Sequence, residues 1–512
     1  MSKERFNKLE AEREPFLRRA RECAKLTLPL VVRAEDDSGV TDYEVPYQSV
    51  GARGVTNLSS NLLLSLFPNN IPFFRLLVSD TEFDSFGPQG EQIKKEVDAS
   101  LAKIEKTVLE ELEDKNLRTS IFEVLKNLII SGNSLVYVQP DGNIRNYSIE
   151  DYVCHRDIEG NLTDIIISEQ ISPVVAQSLD IELPSDVEEL GIEKNIKIFT
   201  CVQLQEDGQY YVWQEIKGEK VKNTDEYYDK SKLPWLALRL TKVTGESWGR
   251  SYVESVIGDL KSLEALQKAL VEAAAISAKT VFMVNPASTT RAKSLAKAEN
   301  GDVINGRVED VGILRTDKGN DLSTAFSASN IIEKRLSYSF NLLEAAMPSQ
   351  PAVTATEINA IVNSLEKILA GTYAMLSSEF MAPLVKLIIS RLTTENKVPE
   401  LPDKVKLIIS TGLTALGRNS DLERIMQFAQ MGAQISPEAF MHLVDQKALL
   451  TQLATAIGTP ELMKSAEQMA AEQEQAMQEQ QLLQEQSEKD LANQTAADVA
   501  GKVIPEMMTT PK

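Results

Sequence analysis

Between residues 251 and 354 the chain carries two long helical stretches, a β-rich connector between them, and a loop bracketed by prolines. The first helix is expected over about residues 252–279. It opens on the capping box Ser251-x-x-Glu254, which satisfies free N–H groups at a helix start. At ~1.5 Å per residue such a helix would be about 40 Å long. Its later half sets Ala265, Ala269 and Ala273 at i, i+4 and i+8, with Ala274, Ala275 and Ala278 beside them. Side chains this small let neighbouring backbones approach closely. A connector over about residues 280–324 leads to a second helix, about residues 325–346, and then to Met347-Pro348-Ser349-Gln350-Pro351. Two long helices joined by a small distal domain make a good hairpin strut and a poor enzyme pocket.

At 512 residues the chain has room for several core-bearing units. Its charge is unusual: 54 basic residues against 75 acidic ones give −21. Such a chain does not attract nucleic acid as a whole; it avoids nucleic acid or guides it without gripping. Cys23, Cys154 and Cys201 are widely spaced and form no CxxC, which fits a reducing compartment and argues against a disulfide or zinc framework. The charged start, and the absence of any run of ~18 apolar residues, point away from secretion and from a membrane.

Residues 3–25 read as an amphipathic helix interrupted near Pro15. An apolar, helical segment spans residues 58–67. Ile93, Val97, Leu101, Ile104, Val108 and Leu112 repeat in steps of three and four and predict one helical face over residues 91–114. A helix over 120–131 ends at Gly132. The period then changes to β: a hairpin over 135–139 and 144–147 around Pro140-Asp141-Gly142, then strands over 152–156, 162–170, 196–205 and 209–216. After the strut, Thr354-x-x-Glu357 starts a helix expected to bend near Pro383 and reach about residue 391, followed by a β segment over 405–410. Residues 415–500 read as helical. Within them, 461–500 hold nine acids, two lysines and nine glutamines and fit either a solvated helix or a disordered tail.

Catalytic constellations are hard to find. His155 lies between Cys154 and Arg156 in a strand, so Cys154 and His155 point to opposite faces, which opposes a nucleophile–base pair. His442 sits alone in a helical segment. There is no HExxH, EF-hand loop or GxSxG. Gly301 to Gly306 has the glycine spacing of a phosphate loop but lacks the lysine and the hydroxyl residue, and Asp302 would repel phosphate; it reads as a turn. The chain reads as a non-enzyme with no cofactor and no metal site.

Several segments match one pattern in order: Thr41-Asp42-Tyr43, Pro46, Gln48 and Gly51-Ala52-Arg53-Gly54; Asn57-Leu58 and Leu66-Phe67-Pro68; residues 245–252, Gly-Glu-Ser-Trp-Gly-Arg-Ser-Tyr; Gly258-Asp259-Leu260 and Ser262-Leu263-Glu264; Asn285-Pro286-Ala287; Ala355-Thr356-Glu357-Ile358; and residues 409–413 with Leu416-Gly417-Arg418. Over about residues 5–460 the chain thereby resembles the portal, or head-to-tail connector, proteins of short-tailed (podovirus-type) phages. The resemblance implies an α+β, predominantly helical portal-type fold: a wing (1–250), stem helices (251–279 and 325–346), a β-containing clip (280–324), a tunnel loop (347–354), a long helix and β segment completing the wing (355–414) and a crown (415–500); residues 501–512 read, from the chain itself, as a disordered tail. It implies a homododecameric ring at one capsid vertex of the virion, assembled in the host cytoplasm. Double-stranded DNA would pass through it in packaging and ejection. Terminase, then tail or adaptor proteins, would dock on it, and capsid and scaffolding proteins would surround it.

In such a ring Ala265, Ala269 and Ala273 serve stem packing. Pro348, Ser349, Gln350 and Pro351 face the DNA; a plain helix–helix connection is the competing reading of that loop. Arg291, Lys293, Lys297 and Arg307 serve docking at the clip, where residues 281–325 hold six basic and six acidic groups; an ordinary mixed surface is the alternative there. Twelve copies would carry 12 × −21 = −252 charges, so contacts with DNA should be phosphate-directed and independent of sequence. The other readings are an acidic scaffold or adaptor without a channel, and a nucleic-acid-processing ring enzyme.

Overall fold

The computed structural model describes residues 2–34, 44–68, 72–78, 90–172, 195–277, 281–287, 290–314, 319–340, 342, 371–402 and 404–409, with short pieces between 426 and 450. The chain divides into two compact units, residues 1–413 and 414–512.

In the first unit, α1 (Ser2–Lys25) buries Leu9, Arg13, Leu17 and Ala20 along one face. The interruption expected at Pro15 does not occur; the helix continues past it. Pro15 and Ala11 both lie on the exposed side, so the Ala11 carbonyl that loses its N–H partner stays within reach of water. Helix α2 (Val50–Leu66) starts earlier than its apolar run and buries Val55, Leu58, Leu62 and Leu66. Strand β1 (Phe74–Val78) follows, then α3 (Gly90–Asp114), whose Leu101, Ile104, Val108 and Leu112 are buried as their spacing predicts. Helix α4 (Leu117–Ser131) is the centre of the core: Ile121, Val124, Leu125, Leu128, Ile129 and Ile130 are fully enclosed. Gly132 ends it at φ 76°, donating its N–H to the Leu128 carbonyl at 2.8 Å.

The β layer begins with β2 (Asn133–Val138) and β3 (Ile144–Tyr147). An antiparallel meander follows: β4 (Tyr152–Arg156), β5 (Leu162–Ile171), β6 (Ile196–Leu204), β7 (Tyr210–Ile216) and β8 (Glu219–Lys220), with β9 (Glu226–Tyr228) also on β7. Strand β10 (Trp235–Arg239) closes a separate three-stranded sheet in the order β10-β2-β3. One face of the meander sends Cys154, Ile165, Ile167, Val202 and Val212 into the main core. The other carries Val153, Ile166, Phe199 and Cys201, and Phe6 and Leu9 of α1 cover it.

The helix from Gly371 to Thr394 is long and apolar enough to cross a membrane by length and composition, a stretch the sequence reading did not single out; half of its most apolar window is buried inside the protein. The bend expected near Pro383 takes the form of a π-helical turn, Ser377–Met381, ahead of the α-helical segment Ala382–Thr394. Pro383 has no N–H to offer the Glu379 carbonyl, and the wider turn accommodates that loss. Arg239 of β10 reaches this turn, donating Nη2 to Glu379 Oε1 at 2.9 Å. The β segment after it, Val405–Ile409, pairs antiparallel with β1, a strand that sequence reading missed.

In the second unit the described pieces are short and mostly helical; the rings of Phe428 and Phe440 lie 5.9 Å apart. Most of residues 415–500 and all of 501–512 lie outside the described residues.

Candidate functional site

The strut rises from the core. Ser251 Oγ accepts the Glu254 N–H at 3.1 Å and donates to the Ile129 carbonyl at 3.1 Å. The serine half of the expected capping box is therefore in place, and it ties the strut to the end of α4. It opens a 3-10 turn, Val253–Val256, which leads into α5 (Ile257–Ser277). Beyond α5 lies a small tip: β11 (Val281–Val284) pairs antiparallel with β12 (Val311–Leu314), around the short helix α6 (Ala292–Lys297) and the turn Val308–Asp310.

Helix α7 then returns at Gly319–Ser339, displaced toward the tip from the expected 325–346. The turn-forming residues Asn320-Asp321 and Ser323-Thr324 lie within its first turns. At its other end Leu342 donates its N–H to the Ser337 carbonyl at 2.9 Å, closing the helix before residue 346.

The two helices run antiparallel. Tyr252 donates its hydroxyl to the Ser339 carbonyl at 2.6 Å, Arg335 Nε donates to Asp259 Oδ2 at 2.6 Å, and Gln267 Nε2 donates to Ser329 Oγ at 3.2 Å. The seam is apolar at the base, where Leu260, Leu263, Leu336 and Phe340 are fully buried, and polar farther out at Gln267 and Ser329. Away from the seam, Ala265 and Ala269 are exposed and Ala273 half-buried. Val271 and Ile276 on α5, with Phe326, Ile331 and Tyr338 on α7, are each more than half exposed. These apolar side chains are largely uncovered by their own chain and are interspersed with the exposed Lys268, Glu272 and Lys334.

Many of the residues that carry the family pattern are fastenings of this strut. Gln48 donates Nε2 to the Leu26 carbonyl at 2.7 Å and accepts the Gly51 N–H at 2.8 Å. Glu264 on α5 accepts the N–H groups of Tyr47 and Gln48 at 3.0 and 3.2 Å. A side chain at Gly54 would collide with the buried ring of Phe340, so glycine is what allows α2 to cross the end of α7. Trp248 is buried, and Gly249 exchanges two hydrogen bonds with the side chain of Asn133, at 2.7 and 3.0 Å. Sequence reading missed the Glu264 clamp, which joins positions far apart in the chain.

The tip brings the four expected docking cations together. Arg291, Lys293 and Lys297 are exposed on and beside α6. Arg307 is exposed next to them, because Thr290 Oγ1 accepts its N–H at 3.3 Å while donating to Asp310 Oδ2 at 3.2 Å. Gly301, at φ 100°, lies in the turn that sequence reading assigned to the phosphate-loop look-alike. The expected tunnel-loop residues Pro348, Ser349, Gln350 and Pro351 lie outside the described residues.

Cys154 and His155 do point to opposite faces. Cys154 is buried in the main core, and burial pushes its thiol up to about 11. His155 is partly exposed, with Nδ1 3.7 Å from Glu12. Burial likewise pushes the Cys23 thiol up to about 12. All three cysteines are free and buried. Among the described residues no three His, Cys, Asp or Glu side chains gather at metal-binding distance. His442 lies outside them.

A family model described as bacteriophage head to tail connecting protein matches residues 2–463. The chain is also 36% identical over 476 residues to the portal protein of Escherichia phage T7, a match covering 90% of this chain and 88% of that protein. The chain belongs to the head-to-tail connecting protein family. It is a structural component of the virion, a portal-type connector. The portal protein of Enterobacteria phage T3 is 36% identical over 467 residues, covering 89% of this chain and 86% of that protein. That of Enterobacteria phage SP6 is 27% identical over 430 residues, covering 83% and 82%. Among solved structures, a chain of the native gene transfer agent virion aligns with a TM-score of 0.38 at 10% identity, covering 75% of this connector and 86% of that chain. A likeness at that level carries no further argument.

Proposed function

We propose that this connector assembles into a closed homododecameric ring at one capsid vertex and forms the channel through which double-stranded DNA is packaged and ejected. The observation that carries this reading is the strut: an antiparallel helix pair whose seam is closed within the protomer and whose outer faces, with Ala265, Ala269, Val271 and Ile276 on α5 and Phe326 and Ile331 on α7, are left for neighbours. Copies packed side by side would cover those faces, with alanines at the closest approach. In this reading α5 and α7 are the stem, residues 281–314 the clip, residues 1–250 with the helix after residue 371 the wing, and residues 415–500 the crown. The exposed cations of the tip, Arg291, Lys293, Lys297 and Arg307, sit where terminase and then tail or adaptor proteins would dock. Capsid and scaffolding proteins would meet the wing, and the ring would form in the host cytoplasm before joining the head.

Acidic copies around a channel would repel the phosphate backbone over about 10 Å at 0.1 M salt, so the duplex slides and is not gripped. Residues 347–354 are the proposed lumen loop. Deleting residues 349–351 is expected to leave rings intact and to lower packaged or retained DNA, measured by nuclease protection. Loss of rings would show that the loop is architectural; unchanged retention would remove it from the channel.

A further inference from the structure

The two-stranded sheet of β1 and β13 (Val405–Ile409) is finished on one side and open on the other. Its register sets Phe74 opposite Ile409, Leu76 opposite Leu407 and Val78 opposite Val405. On the β1 side, Glu105 of α3 accepts the Leu76 N–H at 2.7 Å. That amide therefore points away from β13. In an antiparallel pair, residues directly opposite each other turn their N–H and C=O groups both inward or both outward. Val405, Leu407 and Ile409 thus turn theirs to the far edge. The Pro402 carbonyl accepts the Val405 N–H at 3.0 Å. The N–H and C=O of Leu407 have no partner among the described residues.

Packing points to the same edge. Phe74 and Leu76 are buried, whereas Val405, Leu407 and Ile409, on the same face of the sheet, are only half-buried. The core cover therefore runs out across β13. One further strand would supply both what the backbone and what the side chains lack there, which is how extended segments add to an exposed sheet edge.

The other face of the sheet selects the kind of strand. It carries Arg75 and Leu77 on β1 and Lys406 and Ile408 on β13, with Arg75 opposite Ile408 and Leu77 opposite Lys406. Leu77, Lys406 and Ile408 are exposed and Arg75 is half-buried. Neither cation makes a hydrogen bond or an ion pair among the described residues, in a chain whose net charge is −21. A strand beside β13 would set two outward side chains next to Lys406 and Ile408, and each reaches Lys406 either directly or diagonally. Carboxylates at those positions would meet a free cation. Its inward side chains would continue the row of Val405, Leu407 and Ile409 and so would be apolar. A nucleic-acid backbone could pair with the cations but would use neither the open amide edge nor the apolar row. We propose that the open edge of β13 is a docking site for an extended segment of a partner protein in which apolar and acidic side chains alternate. The site does not depend on the ring being closed.

The test uses the full-length protein and three fluorescent peptides of equal length. One alternates valine with glutamate, the second holds the same residues with the glutamates in one block, and the third replaces each glutamate by lysine. Polarisation titrations are expected to give the alternating acidic peptide about tenfold tighter binding than the blocked one. The lysine peptide should bind more weakly still, although the net charge of the protein favours it. Methylating alternate backbone nitrogens of the acidic peptide, on its pairing edge, should abolish binding. Lys406→Glu should remove the preference for glutamate over lysine while leaving the urea midpoint unchanged. Equal binding of the alternating and blocked peptides, or binding that survives N-methylation, would mean that no strand is added and would overturn the proposal. Tighter binding of the lysine peptide would reduce the contact to general attraction by an acidic chain, with the same consequence. A duplex oligonucleotide that displaces the acidic peptide, and no longer binds the Lys406→Glu protein, would overturn it in favour of phosphate.

Discussion

Two regions of this connector meet the problem of covering apolar surface in opposite ways. Around α4 the chain covers itself: Ile121, Val124, Leu125, Leu128, Ile129 and Ile130 are fully enclosed by α1, α2, α3 and the sheets. Along α5 and α7 it covers only the base of the seam, and Val271, Ile276, Phe326 and Ile331 face outward. The body is complete as one protomer. The strut is half an interface, and in the proposed ring a second copy supplies the other half. A substitution in the body should therefore be read in folding, and one on the outer strut in assembly.

The largest effect on folding is expected in the body. Phe380 is fully buried against Phe67, with ring centroids 5.9 Å apart. Phe380→Ala should lower stability by about 3–5 kcal/mol in urea unfolding. A smaller effect is expected at the joint between the regions, where Gly54 meets Phe340. Gly54→Ala forces a buried ring to move and should lose about 1–3 kcal/mol. The smallest effect belongs to the outer strut. Ala269→Glu should change unfolding by no more than about 0.5 kcal/mol, because the site is exposed in the protomer. It should nonetheless abolish higher-order assembly in gel filtration, since one carboxylate per copy would face a closely packed helix. If Ala269→Glu instead unfolds the protein, or assembles normally, the contrast between the two regions fails.

The body was the more legible of the two in the sequence, for a physical reason. The steps of three and four in α3 and the alternation in β4 to β7 are local, and local periodicity survives without knowledge of partners. Long-range pairing does not. Strand β1 was missed because its partner, Val405–Ile409, lies at the other end of the chain. Pro15 misled because the cost of a proline depends on which side of the helix faces water. On the strut, the second helix begins at Gly319, inside the stretch expected to be connector, because short polar residues such as Asn320, Asp321, Ser323 and Thr324 suit the first turn of a helix as well as a loop. The alanine line and the cations of the tip were visible as composition. The Glu264 clamp and the Gly54–Phe340 crossing were not, because each joins residues distant in sequence.

The central claim is that the strut is completed by other copies of the same chain around a closed channel. Negative-stain electron microscopy of the purified full-length protein under assembly conditions tests it most directly. Closed rings with a central hole, about twelvefold in rotational averages, are the predicted result. Only monomers, or open filaments without a hole, would contradict it.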